Sequence, residues 1–150
     1  MPVLSGAAPV KRADAASDAI HLNVGGSIYY AGYETHWMDV DGAMAYCAQP
    51  QMQTPPSGTY ERSPLRTVPS GVTQASVEQM AAGIYYGFGG PGFDESKRYF
   101  PATWFDGTPM NDERYAALTH IVVSDIYSCT GSLALQGTSD EFREWASYNV

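Results

Sequence analysis

Residues 111–128 read NDERYAALTHIVVSDIYS, and the fold turns on how this stretch is read. Asn111 carries an N-cap side chain, and Asp112 and Glu113 fall in the first turn, where acids suit the positive end of a helix dipole. The spacing predicts a helix over 112–128. Tyr115, Leu118, Ile121, Val122 and Ile126 give it one apolar side. Ala116, Ala117, Val123 and Tyr127 make most of the opposite side apolar as well. A helix that is apolar nearly all round must be covered nearly all round, so this one is expected at the centre of the molecule.

The neighbours that cover it must come from the rest of the chain. Downstream, Thr138 and Glu141 have capping-box spacing, and Phe142, Trp145 and Ala146 form one inward face, which predicts a helix over 139–148. Upstream, Ser76 and Gln79 give a second capping box. Val77, Met80, Ala81, Ile84 and Tyr85 make a core-facing stripe, and Gly87 ends a helix over 76–87. Residues 87–110 read as a long loop whose glycines mark turns; none has phosphate-binding spacing between a strand and a helix. Prolines at 50, 55, 56, 64 and 69 make 50–72 irregular, with a short edge strand at Thr59-Tyr60.

Towards the N-terminus the period changes. Residues 19–30 read as a hairpin turning at Gly25-Gly26, followed by a strand over 33–40. Asp41-Gly42 is a tight-turn dipeptide, and 43–48 is a buried strand or the start of a helix, extended to near Gln49 because Pro50 follows. Strands first and helices later define an α+β domain: a small antiparallel sheet with about three helices. Residues 1–18 read as a flexible leader or linker, and 19–150 as the folded module.

Composition bounds the function. A chain of 150 residues buries about two thirds of its surface as one domain, so it needs no metal or disulfide staple. Apolar residues at 44% against 16% charged exclude a disordered tail. No run reaches the ~18 apolar residues of a membrane span. A net charge of −8 argues against nucleic acid as a partner. Two cysteines, Cys47 and Cys129, are too few for a disulfide framework. The acidity, scarce lysine and abundant Tyr, Ser, Thr and Gly point to an exported bacterial domain, here expected as a piece of a longer protein.

Cys47 and His120 are the positions with chemical potential. His120 lies in mid-helix among small or apolar neighbours, where an imidazole is desolvated unless partnered. Either residue alone reads as core: a histidine bonded to a carbonyl, a thiol acting as a small hydrophobe. Together, a base beside a thiol favours the reactive thiolate. Asp39, Asp41, Asp125 or an amide are the candidates to orient the imidazole, with Asp125 badly placed around the helix. Main-chain amides after Cys47 are the expected oxyanion donors. His36 with Cys47 and His120 would complete a zinc set, but no ligand-pair spacing supports it, so neither metal nor cofactor is expected. Cys129 reads as a core thiol, with pairing to Cys47 as the alternative. Tyr85, Tyr86, Phe88, Phe93, Trp104 and Phe105 read as core or loop anchors, some of them candidate walls of a groove above Cys47.

Four blocks in order, DVDGAMAYCAQP (39–50), PSGTY (56–60), GIYYGFGG (83–90) and YAALTHIVVSDIY (115–127), resemble a thioester domain of Gram-positive bacterial surface adhesins. The likeness runs from about residue 33 to 147. It implies a fold distantly like papain and transglutaminases, in a wall-anchored, multidomain protein at the cell surface. In that family the cysteine of the Tyr-Cys block bonds to a glutamine that follows a threonine, and the strained thioester is opened by an amine of a host protein. Tyr46-Cys47 match the first block and Thr119 the threonine, but His120 stands where the glutamine is expected. Imidazole has no carboxamide from which to lose ammonia, so the resemblance implies a Cys47–His120 pair in place of the thioester. Its expected roles are covalent attachment or acyl transfer, with Cys47 as nucleophile and His120 as general base, acting on amine or amide groups of a host protein or peptide. The alternatives are a cysteine peptidase, amidase or transglutaminase-like enzyme, and a degenerate binding module without catalysis.

Overall fold

The computed structural model describes residues 19–49, 52–62, 73–128 and 137–149. Strands β1 (Ala19–Tyr30), β2 (Tyr33–Val40), β3 (Ala43–Met44) and β4 (Gly58–Glu61) precede helices α1 (Gln74–Tyr86), α2 (Phe93–Ser96), α3 (Asp112–Ser128) and α4 (Asp140–Asn149). The strands form one antiparallel sheet in the order β3-β2-β1-β4. This is the expected α+β domain, with one short helix, α2, inside the loop between the first two long ones. A turn of 3-10 helix over Lys97–Tyr99 follows α2 directly.

The first reversal is not where the glycine pair placed it. β1 runs straight through Gly25-Gly26, and the pair is a bulge that shifts the register to β2 between Val24 and Ser27. The chain turns instead at Ala31-Gly32, both in the left-handed region at φ 51° and 94°. Two residues with positive φ match the twist of a tight hairpin, and glycine takes the larger angle without a Cβ penalty. Asp41-Gly42 makes the second tight turn as read, with Asp39 Oδ1 accepting the Gly42 N–H at 3.1 Å. β2 keeps its expected bounds. β3 is shorter than its reading, and residues 45–49 leave the sheet as irregular chain. β4 is the short edge strand foreseen around Tyr60 and pairs with the start of β1.

The helix starts also move. Thr73, not Ser76, caps α1: its Oγ1 accepts the Ser76 N–H at 3.1 Å. Ser76 is buried inside the first turn, and the inward face is Ser76, Met80 and Gly87, while Ile84 and Tyr85 remain 41% and 48% exposed. The apolar stripe read from sequence is therefore rotated, because α1 packs its small residues on α3. Gly87 shows why: a Cβ there would stand 2.2 Å from Thr119 Cγ2. Ser139 rather than Thr138 caps α4, its Oγ accepting from Phe142 N at 3.3 Å.

α3 is the buried centre, capped by Asn111 Oδ1 as expected. Ala116, Ala117, Leu118, Ile121 and Val123 are at most 2% exposed. One cluster joins α3 to Ile28 and Tyr30 of β1, to Trp104 and to Phe142 and Ala146 of α4. Met80, Val123 and Tyr127 form a second cluster between α1 and α3.

Candidate functional site

The site is built on three pieces of chain. The middle of α3 supplies Thr119 and His120. The turn between β1 and β2 supplies Tyr30 and Tyr33. The irregular segment after β3 supplies Tyr46 and Cys47. A run of hydrogen bonds holds them in register. The Tyr46 hydroxyl donates to the Phe88 carbonyl at 2.5 Å. The Phe88 N–H donates to Thr119 Oγ1 at 3.0 Å, and that hydroxyl donates to the Tyr115 carbonyl at 2.9 Å. The Gly87-Phe88 corner thus clasps the Tyr46-Cys47 segment to α3. It can lie so close only because residue 87 has no Cβ.

His120 is 1% exposed. Its Nδ1 lies 3.1 Å from the Tyr30 hydroxyl, and its ring stacks on Tyr33 with centroids 6.0 Å apart and planes 23° from parallel. Nε2 has no hydrogen-bond partner among the described residues. Burial pushes the imidazole pKa down to about 4; the Cys47 main chain acts weakly the other way. A main-chain group that raises a histidine pKa must be an acceptor, so the Cys47 carbonyl faces the ring. His120 is therefore neutral at neutral pH.

Cys47 is a free, half-buried thiol. Its Sγ donates to the Gln49 carbonyl at 3.3 Å, not to the imidazole. Tyr33 bridges the two residues. Its ring lies on His120, and its hydroxyl pKa is raised to about 12, by burial first and then by the negative charge Cys47 would carry. The Tyr30 and Tyr46 hydroxyls are pushed up further, both chiefly by burial.

None of the three expected aspartates is seen orienting the imidazole. Asp39 accepts from Asn23 and Gly42, Asp41 accepts from the His21 main chain, and Asp125 is an exposed residue of α3. The Tyr30 hydroxyl occupies that position, and sequence reasoning missed it. Its signal was present: alternation along β1 puts Ile28 and Tyr30 on the buried face, which a hairpin at Gly25-Gly26 obscured. His36 sits on β2 with Nδ1 3.4 Å from Thr54 Oγ1. Among the described residues no three His, Cys, Asp or Glu side chains converge as metal ligands. Cys129 lies outside the described residues.

The aromatic residues divide. Phe88, Phe93, Phe100 and Tyr115 pack edge to face beneath the clasp, and Trp104 and Phe105 pack on Phe142. Tyr86 lines an apolar cavity of about 240 Å3 together with Gly83, Tyr99, Leu118 and Val122. That cavity touches Thr119 but not Cys47, so it is not the groove above the cysteine.

The structure thus defines a class: a small α+β module that clasps a free cysteine segment against two buried polar side chains of a central helix, Thr119 and His120. The chain matches the family model described as a thioester domain over residues 19–149, and it belongs to that family. No curated protein and no solved structure matches it. Thioester domains typically occur in extracellular surface proteins. No described helix is long and apolar enough to cross a membrane.

Proposed function

We propose that this chain is the attachment module of an exported, wall-anchored bacterial surface protein, and that Cys47 is its reactive group. The observation that supports this most is the clasp. Tyr46-Cys47 is held against Thr119-His120, the two blocks through which the family forms its thioester. With histidine at 120 no internal thioester closes, and the cysteine stays a thiol. The reaction open to it is acyl transfer. Cys47 loses its proton, its sulfur attacks the carbonyl carbon of an amide or ester on a partner, and the leaving group departs with a proton. The acyl-cysteine thioester is itself the covalent link to the partner, and it lasts until an amine or water attacks it, forming an amide or acid and returning the thiol. In a host setting the amide or ester belongs to a surface protein or peptide.

The test is acylation of folded protein by p-nitrophenyl acetate, followed by a lysine-containing peptide, with mass mapping of Cys47. Acetyl-Cys47 that forms in the folded protein and outlasts addition of the peptide is the expected result. If Cys47 reacts only after unfolding, the module binds without covalent chemistry. Many turnovers per chain would make it an acyl-transfer enzyme rather than an attachment device.

A further inference from the structure

We infer that the Tyr30 hydroxyl fixes His120 in the Nε2–H form, so that the imidazole serves the Cys47 site as a hydrogen-bond donor to the acyl oxygen rather than as the base for the thiol. The inference rests on the reading of Cys47 as an acyl acceptor and assigns the two buried residues their parts in it.

The argument is a count of buried polar groups. Tyr30 and His120 are 3% and 1% exposed, and one hydrogen bond joins the Tyr30 hydroxyl to Nδ1. That bond can run in two directions. If Nδ1–H donates to the phenol oxygen, the phenol proton is left without an acceptor. The bare Nε2 lone pair is also left without a donor. If the phenol donates to Nδ1, its proton is used, and the only group left over is the Nε2–H. The second arrangement leaves one orphan instead of two, and orphaned buried groups are what folded proteins avoid.

The chemistry follows from the tautomer. An Nε2 that already carries a proton cannot take one from Sγ without first losing its own. A neutral imidazole N–H in a site closed to water is instead a good donor to developing negative charge. When thiolate sulfur bonds to an acyl carbon, the carbonyl π electrons move onto oxygen. An unpartnered N–H beside the Cys47 main chain can meet that oxygen and release it when the leaving group departs. The thiol proton goes to solvent, which the half-exposed Cys47 reaches. His120 is then the catalytic donor and Tyr30 a positioning residue. Tyr33, stacked on the ring, fixes its plane.

Two measurements on the folded chain test this. The first is the nitrogen chemical-shift pattern of His120 in 15N-labelled protein at pH 7. The expected pattern has a protonated Nε2 and a bare Nδ1, giving way to a mixture of tautomers in Tyr30→Phe. A protonated Nδ1, or an imidazolium, overturns the inference whatever Cys47 does. The second compares two reagents at Cys47. Acetylation by p-nitrophenyl acetate builds an oxyanion, whereas alkylation by iodoacetamide does not. His120→Leu is expected to slow acetylation about a hundredfold, and Tyr30→Phe severalfold, with alkylation nearly unchanged. Equal loss in both reactions means that His120 takes the thiol proton, and overturns the donor role. A wild-type Cys47 inert to both reagents ends the acyl-transfer reading and the donor role with it, while the tautomer is still decided by the first measurement.

Discussion

His120 concentrates the energetics of the site in one side chain. A buried imidazole with its pKa held near 4, against 6.5 for a solvated one, binds its proton later in the folded chain than in the unfolded one. Stability is therefore complete above about pH 6.5, falls as the pH drops towards 4, and stops falling from this source below 4. The loss is about 3 kcal/mol over that window. Urea unfolding at pH 7, 5.5 and 4 checks it, because His120→Phe is expected to remove that part of the slope. The same position gives a second expectation. If residue 120 stands where the family's glutamine stands, His120→Gln closes a bond to Cys47 and the intact mass drops by one ammonia. An unchanged mass with a free thiol would mean that the Cys47 segment and residue 120 are not in register.

At the level of the elements, caps decide where helices begin, and here the pattern misled by a few residues. Ser76-x-x-Gln79 has the spacing of a capping box, but Thr73 lies one turn earlier and its hydroxyl does the capping. Thr73→Ala is expected to cost about 1 kcal/mol in chemical denaturation, and Gln79→Ala, on the exposed side of α1, close to nothing. The glycine pair of β1 failed as a turn for a related reason. Gly-Gly permits a tight turn but equally permits a bulge, and propensity does not choose between them. The choice came from β2, which pairs with β1 on both sides of the glycine pair, from Leu22 to Tyr30. By contrast α3 was legible at both ends, because Asn111, the first-turn acids and an apolar surface all agree.

Taken as a whole, the molecule ties the His120 site to the core through aromatic rings. Phe142 is fully buried, with its ring centroid 6.0 Å from that of Tyr30, 5.2 Å from Trp104 and 5.6 Å from Trp145. Truncating it removes contacts from β1, the 100–110 loop and α4 together. Phe142→Ala is expected to cost about 4 kcal/mol, a large share of the ~5–15 kcal/mol that holds such a domain together. Because Tyr30 loses its packing partner, the His120 resonances should broaden in the same variant even where it remains folded. A surface variant such as Tyr148→Ala should leave both stability and those resonances unchanged, since that ring is 83% exposed.

Local order alone determined much of this protein. The α+β class, the central helix, strand 33–40, the Asp41-Gly42 turn and the candidate pair Cys47 and His120 all follow from period, caps and residue chemistry, which act over a few positions. The partners of that pair did not follow. The choice of Tyr30 over three aspartates, the stacking of Tyr33 and the clasp through Phe88 depend on contacts between residues up to ninety positions apart. Such contacts form only when the sheet, the glycine corner and α3 have closed on one another, because burial and hydrogen-bond satisfaction are summed over the whole fold rather than along the chain.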